Sequence, residues 1–327
     1  MQSSCLEKKK WGPRTVADFQ RALGYLKDWL RENRYQNSVE AVTRRVAGEF
    51  VSDRLVGGGL ASKTINKYIS GLSGYWDWLV KKGYVEASVW KGQRAERERQ
   101  PEDEKLRPFN DEEMARLFGG TPKRGFVYDA MAIAALTGAR MGVIVDLKVA
   151  DCQGDTIHFR AAKREKLSRL VPLHPDLRGV IASRIRGKQP SDDLFPEIPR
   201  PGPRDDPRKE RGQMLTKSFG TYRVSVGVDD PRPSDGKSRV NFHSFRRWFI
   251  SRASAAIIEG AVGFSPWTIA EVVAHSKDDM PLDMTMGHYK APDAMQARRA
   301  CVEAVQLPSK ARAALLERYP VSLEEPA

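Results

Sequence analysis

Around residue 243 the chain reads Val240-Asn241-Phe242-His243-Ser244-Phe245-Arg246-Arg247-Trp248-Phe249, which sets an imidazole three positions before a guanidinium. The spacing predicts a helix with Asn241 as its N-cap and Phe242, Phe245 and Phe249 as its buried stripe. On such a helix His243 and Arg246 are expected to share a face, with Arg247 rotated away from them. A helix N-terminus favours anions, because its free N–H groups and dipole face a ligand, and a forked guanidinium adds a bidentate grip. The chemistry this supports is recognition of a phosphate. The same residues, taken alone, also describe a surface helix with a basic face, so the surrounding elements have to decide.

Composition narrows the partner. With 55 Lys and Arg against 42 Asp and Glu, the 327-residue chain carries a net charge of +13. Its pI near 9.7 favours nucleic acid. Cys5, Cys152 and Cys301 are scattered and odd in number, so neither a disulfide framework nor a zinc knuckle is expected, and no metal. The stretch from Met1 to Gly12 is polar and lysine-rich without an apolar h-region, and no run approaches membrane-spanning length. A reduced, cytoplasmic protein without a membrane partner is the expectation.

The elements that must position the 243–246 pair fall into two expected domains. After a tail over residues 1–13, residues 14–90 read as a helical domain. Its helices are marked by Val16, Phe19, Leu23, Leu26 and Leu30, by Val39, Val42, Val46 and Phe50, and by Ile65, Ile69, Leu72, Trp76 and Leu79 up to Gly83. Within it, Gly57-Gly58-Gly59-Leu60-Ala61-Ser62-Lys63-Thr64 nearly spells a phosphate-binding loop. Ser62 stands where the second glycine is required and the preceding residues look helical, so a turn is expected, with Ser62 or Thr64 capping the next helix. Residues 91–107 are almost wholly charged and read as a linker. Asn110 and Glu113 form a capping box that opens a second domain over residues 108–306. There a helix over Tyr128 to Leu136 ends near Thr137-Gly138, and strands at Thr156–Arg160 and Arg169–Leu173 form a hairpin. Loops at 199–213 and 229–238 flank a helix over Leu215 to Val226, and residues 307–327 form a tail. The fold class expected is mostly α with a small β-hairpin.

Several short motifs in this domain follow a fixed order. Leu136-Thr137-Gly138-Ala139-Arg140 precedes Leu147-Lys148-Val149-Ala150-Asp151; Lys163 in the hairpin precedes Val171-Pro172-Leu173; then come His243-Ser244-Phe245-Arg246, Val273-Ala274-His275-Ser276 and Gly287-His288-Tyr289. In that order they resemble the tyrosine recombinase, or phage integrase, family. Residues 14–90, with Lys63-Thr64-Ile65-Asn66-Lys67-Tyr68, look like its core-binding domain. The resemblance implies a helical core-binding domain followed by an α+β catalytic domain.

The family's chemistry is then implied for this chain. A tyrosine attacks a DNA phosphodiester, forms a 3′-phosphotyrosine and releases a 5′-hydroxyl that later attacks another strand, so no metal, ATP or other cofactor is needed. Tyr289 is the implied nucleophile; a phenol with a pKa of about 10 has to be activated by positive charge or a base. Arg140 and Arg246 are the implied clamp on the non-bridging oxygens, which two guanidiniums hold in a fixed geometry that lysine does not reproduce. Lys163 is the implied proton donor to the leaving oxygen; it lies one residue further from Pro172 than is usual, which keeps Lys166 in competition. His243 would share an oxygen or accept the tyrosine proton, and His275 would donate to the same phosphate. His158 and His174 are read as structural, and His288 as having no catalytic part. Lys63, Thr64, Lys67 and Lys166 are the expected DNA contacts.

The resemblance extends to partners: double-stranded DNA attachment sites, four protomers in the synaptic complex, and room for a DNA-bending accessory protein. Residues 308–327, with Ala311 to Leu316, are expected to dock onto a neighbouring protomer. Two departures stand out. Val143 occupies a place that is often acidic, with Asp146 a turn later, and the segment between His275 and Tyr289 is longer than the commonest spacing. A type IB topoisomerase and a DNA-binding protein that has lost catalysis are the alternative functions.

Overall fold

The computed structural model describes residues 11–96, 100–162, 168–202, 206, 210–275 and 294–320. The chain divides into two compact units that part between Gln100 and Pro101.

The first unit is helical. Helix α1 (Pro13–Glu32) starts on a proline, whose fixed φ suits the first helical position, and buries Phe19, Leu23, Leu26, Trp29 and Leu30. Helix α2 (Arg44–Phe50) starts later than Val39 and Val42 predict, because the Thr43 hydroxyl takes the Val46 N–H at 3.3 Å and fixes the cap there. Val42 is still buried, but from the preceding loop. The chain then runs as a π-helix over Val51–Val56 and turns at Gly57–Gly59. Helix α3 (Ser62–Lys81) follows and packs along α1. Its N-cap is Ala61, and no side chain caps it. Ser62 is already helical and the Thr64 N–H bonds to the Ala61 carbonyl at 2.7 Å, so neither hydroxyl has the capping role expected of it. Phe50, Trp76 and Trp90 meet edge to face at the centre, with ring centroids 6.0 Å and 5.4 Å from Trp90.

In the second unit, the Asn110–Glu113 capping box opens α4 (Asp111–Gly119). Helix α5 (Gly125–Thr137) is apolar on all sides and buried along nearly its whole length, as the central element of a core must be. Gly138 ends it in the left-handed conformation at φ 63°. The short helix α6 (Met141–Val145) leads to strands β1 (Thr156–Phe159) and β2 (Arg169–Pro172), which pair antiparallel with Ile157 opposite Val171 and Phe159 opposite Arg169. Next come α7 (Arg178–Ile185), α8 (Gln213–Ser225) and α9 (Ser244–Ile258), the last packed across α5. Helix α10 (Pro266–Val273) packs on α9, and α11 (Ala294–Glu303) on α10 and β2.

Helix α12 (Ser309–Arg318) corrects an expectation. Its apolar residues Ala311 and Leu315 are fully buried in the unit's own core, and the helix packs on α4. Arg312 donates to both oxygens of Asp176 at 2.7 and 2.9 Å, and the Tyr319 hydroxyl bonds to Asp129. Ala311 and Leu315 are therefore already covered within the chain, while residues 321–327 of the expected docking tail lie outside the described residues.

Candidate functional site

Arg140, His243, Arg246 and His275 belong to three stretches far apart in sequence, and the fold brings them together. Three local devices achieve this. First, Gly138 lets α5 stop and the chain turn into α6, with Arg140 as the residue preceding that helix. A Cβ on Gly138 would lie 2.7 Å from Val273 and 2.8 Å from Phe249, so α9 and α10 both press on this turn. Second, the Asn241 side chain accepts the His243 N–H at 2.9 Å, while the Ser244 hydroxyl accepts the Asn241 N–H at 3.1 Å. Asn241 thus organises the entry, but it is not the N-cap expected of it: α9 begins at Ser244, with His243 in the cap position and no side chain capping it. Third, α10 ends on Ala274 in the left-handed region at φ 50°, and the His275 N–H reaches back to the Ala270 carbonyl at 2.9 Å. That closure usually takes glycine; alanine there costs about 1 kcal/mol.

Guanidinium-to-carbonyl bonds tie these devices together. Arg246, only 2% exposed, donates to the Gly138 carbonyl at 3.0 Å, two residues before Arg140. Arg140 in turn donates to the Ala274 carbonyl at 3.0 Å, one residue before His275. A further guanidinium, Arg169 of β2, donates to the Val272 carbonyl at 2.7 Å and lies over the Phe159 ring. The C-terminal end of α10 is therefore held by two cations, the sign its dipole favours.

His243 stands at the focus of this charge. The residue reaches solvent, yet the groups packed around its imidazole desolvate it. Desolvation first, and then the positive charges of Arg247, Arg246 and Arg140 with His275, push its pKa down to about 4. The imidazole is thus neutral at pH 7 and keeps one nitrogen able to accept a proton.

Arg247 corrects the sequence reading. Four residues on from His243, it is about 40° away around a helix, closer than Arg246 at about 60° on the other side, and it is the charge that acts most strongly on His243. The support for Arg140 is also rearranged. Val143 is buried in the core, and Asp146 pairs with Arg211 and Arg200 at 3.3 and 3.5 Å. The brace on Arg140 instead includes the Ala274 carbonyl.

Arg169 went unrecognised, although strand alternation carried the signal: with Val171 inward and Leu170 outward, Arg169 has to face in. Of the histidines set aside from the chemistry, His288 lies outside the described residues. His174 is buried and accepts the Asp176 N–H, and His158 lies on the solvent side of β1 near Asp151. In the first unit, Lys63 and Lys67 are exposed on α3 and Thr64 is half-buried, with Lys67 paired to Asp18 at 3.1 Å. Lys163, Lys166 and Tyr289 lie outside the described residues.

Residues 5–83 match the family model for the phage integrase N-terminal SAM-like domain. No curated protein sequence matches the chain. Among solved structures, the lambda integrase tetramer bound to a Holliday junction aligns at 16% identity over 85% of this chain and 76% of that one, with a TM-score of 0.59. A lambda integrase dimer bound to a COC′ core site aligns at 15% identity over 84% and 92%, with a TM-score of 0.58. The Tn1549 transposon integrase, in complex with transposon right end DNA, aligns at 17% identity over 78% and 82%, with a TM-score of 0.51. Among the described residues no helix is long and apolar enough to cross a membrane. The chain thus matches the phage integrase SAM-like domain over residues 5–83 and shares the fold of lambda integrase over most of its length.

Proposed function

We propose that the protein is a site-specific DNA recombinase, the integrase of a phage or mobile element, which cleaves and rejoins DNA through a 3′-phosphotyrosine without metal or ATP. The observation that carries this reading is the pair of ties from Arg246 to Gly138 and from Arg140 to Ala274. Each arginine is held by the backbone next to another member of the cluster, so the two guanidiniums and His275 form one preorganised anion cradle beside a neutral imidazole.

In the proposed reaction the Tyr289 oxygen attacks phosphorus, and its proton passes to neutral His243. Arg140 and Arg246 hold the non-bridging oxygens as charge gathers on them, and His275 donates to the same phosphate. The bond to the 5′-oxygen breaks, and that oxygen takes a proton from Lys163 or Lys166. Rejoining reverses these steps with a 5′-hydroxyl from another strand. Lys63, Thr64 and Lys67 on α3, along with Lys166, are proposed as backbone contacts. Lambda integrase is found as a dimer on a core site and a tetramer on a Holliday junction, and for this chain we propose four protomers on two attachment sites, assisted where needed by a DNA-bending protein.

The test is covalent capture: the full-length protein is incubated with fragmented DNA from its source and denatured, and the DNA still attached is sequenced beside a Tyr289→Phe control. Adducts at one discrete site, lost in the control, are expected. Scattered adducts would indicate topoisomerase-like relaxation, and DNA binding without adducts would overturn the catalytic reading.

A further inference from the structure

Arg247 closes the first turn of α9, its N–H bonded to the His243 carbonyl at 3.2 Å. Its guanidinium is half-buried, and its Nη1 is shielded from water with no hydrogen-bond partner. Among the described residues it forms no ion pair either, and desolvation alone lowers its pKa. Three other buried or half-buried arginines of the unit are treated differently. Arg107 is paired with Glu113 and Asp230, Arg184 with Asp129 and Glu197, and Arg211 with Asp193 and Asp146. Folding that desolvates a cation without an acceptor raises the free energy, and an incoming anion removes that cost.

The surroundings specify the anion. Among the described residues, the charged and titratable groups acting most strongly on His243 beside Arg247 are Arg246 from α9, Arg140 from the turn between α5 and α6, and His275 from the end of α10. All are cationic or can become so, and none attracts another cation. A ligand that pairs with the Arg247 guanidinium there carries negative charge and presents oxygen acceptors.

We propose that Arg247 is a third phosphate-binding guanidinium of this site, its half-buried fork donating to a phosphate oxygen of bound DNA. The assignment rests on the DNA-recombinase reading above. It separates the two consecutive arginines by job: Arg246 is anchored to the Gly138 carbonyl, whereas Arg247 is completed only by substrate.

The experiment compares wild-type, Arg247→Gln and Arg247→Lys full-length proteins on the duplex fragments recovered by covalent capture, across a salt series. One phosphate contact contributes about 0.9 to the slope of log affinity against log salt, so Arg247→Gln should lose about that much slope and Arg247→Lys should keep it. An unchanged slope in a folded Arg247→Gln protein would overturn the proposal. Should glutamine prevent folding, phenylglyoxal labelling of the wild-type protein answers the same question. Bound duplex DNA should slow labelling of Arg247 severalfold, and equal labelling with and without DNA would overturn the contact. Wild-type cleavage with either negative result removes this inference alone, whereas a wild-type protein that binds no DNA removes the functional reading as well.

Discussion

Two guanidiniums of the second unit, Arg184 and Arg246, are almost equally hidden, at 8% and 2% exposure, yet they are held in different ways. Arg184 bonds to the buried Asp129 carboxylate, donates at 2.8 and 2.9 Å to both oxygens of Glu197, and stacks over Phe195. Arg246 donates at 3.0 Å to a backbone carbonyl. A carboxylate cancels the charge it binds, so the Arg184 cluster is a brace that joins α5 to α7 and, through Tyr319, to the end of α12. The Gly138 carbonyl fixes Arg246 without itself supplying a counter-charge, so the pairing partner as well as burial bears on what a hidden arginine does.

The contrast is broken most directly by exchanging the two arginines for near-isosteres. Arg184→Met strands Asp129 as a buried carboxylate and should cost about 3–5 kcal/mol of stability, read by urea denaturation, with cleavage per folded molecule unchanged. Arg246→Lys keeps the charge but loses the fork. It should lower cleavage about 10²–10³-fold while costing only about 1 kcal/mol of stability. If Arg246→Lys unfolds the protein as severely as Arg184→Met, Arg246 is a brace as well and the distinction fails.

A smaller effect tests the carbonyl itself. Gly138 needs its left-handed φ, and a methyl there meets Val273 and Phe249 inside 3 Å. Gly138→Ala should cost roughly 2–4 kcal/mol, combining backbone strain with overpacking, and should lower cleavage because Arg246 loses its seat. Gly154 is the control. It has a similar φ of 71° but open space around it, so its alanine variant should show only the backbone strain, about 1 kcal/mol, and normal cleavage.

The first unit was the more legible of the two because its determinants are local. Apolar residues at helical spacing announce α1 and α3, and the error at α2 arose because Thr43, a single cap, outweighs the periodicity of Val39 and Val42. In the second unit the capping box, the apolar α5 and the hairpin were equally readable. Arg140, His243, Arg246 and His275 were identified by motif order, but the bonds that join them were not. Arg246 to Gly138 spans 108 positions and Arg140 to Ala274 spans 134, and both end on backbone carbonyls, which every residue has. Nor could periodicity assign α12. A short amphipathic helix looks the same whether it covers its own chain or another, and the fully buried Ala311 and Leu315 decide for its own.

The smallest effect concerns the two described non-glycine residues with positive φ, Ala274 at 50° and Arg34 at 60°. Replacing either with glycine relieves about 1 kcal/mol of backbone strain. Part of that gain returns as unfolded-chain entropy, so each variant should be stabilised by about 0.5 kcal/mol, read from paired urea midpoints. Cleavage should separate them. Arg34 lies just past α1 in the first unit, and its strain orients nothing among the cluster residues, so Arg34→Gly should cleave as the wild type does. Ala274 presents its carbonyl to Arg140 and precedes His275, so loosening it should lower cleavage while stability rises. Opposite signs in stability and activity at Ala274, with only the stability gain at Arg34, would mean that the strain at Ala274 serves the cradle. Equal behaviour at the two positions would mean that it is incidental to how α10 ends.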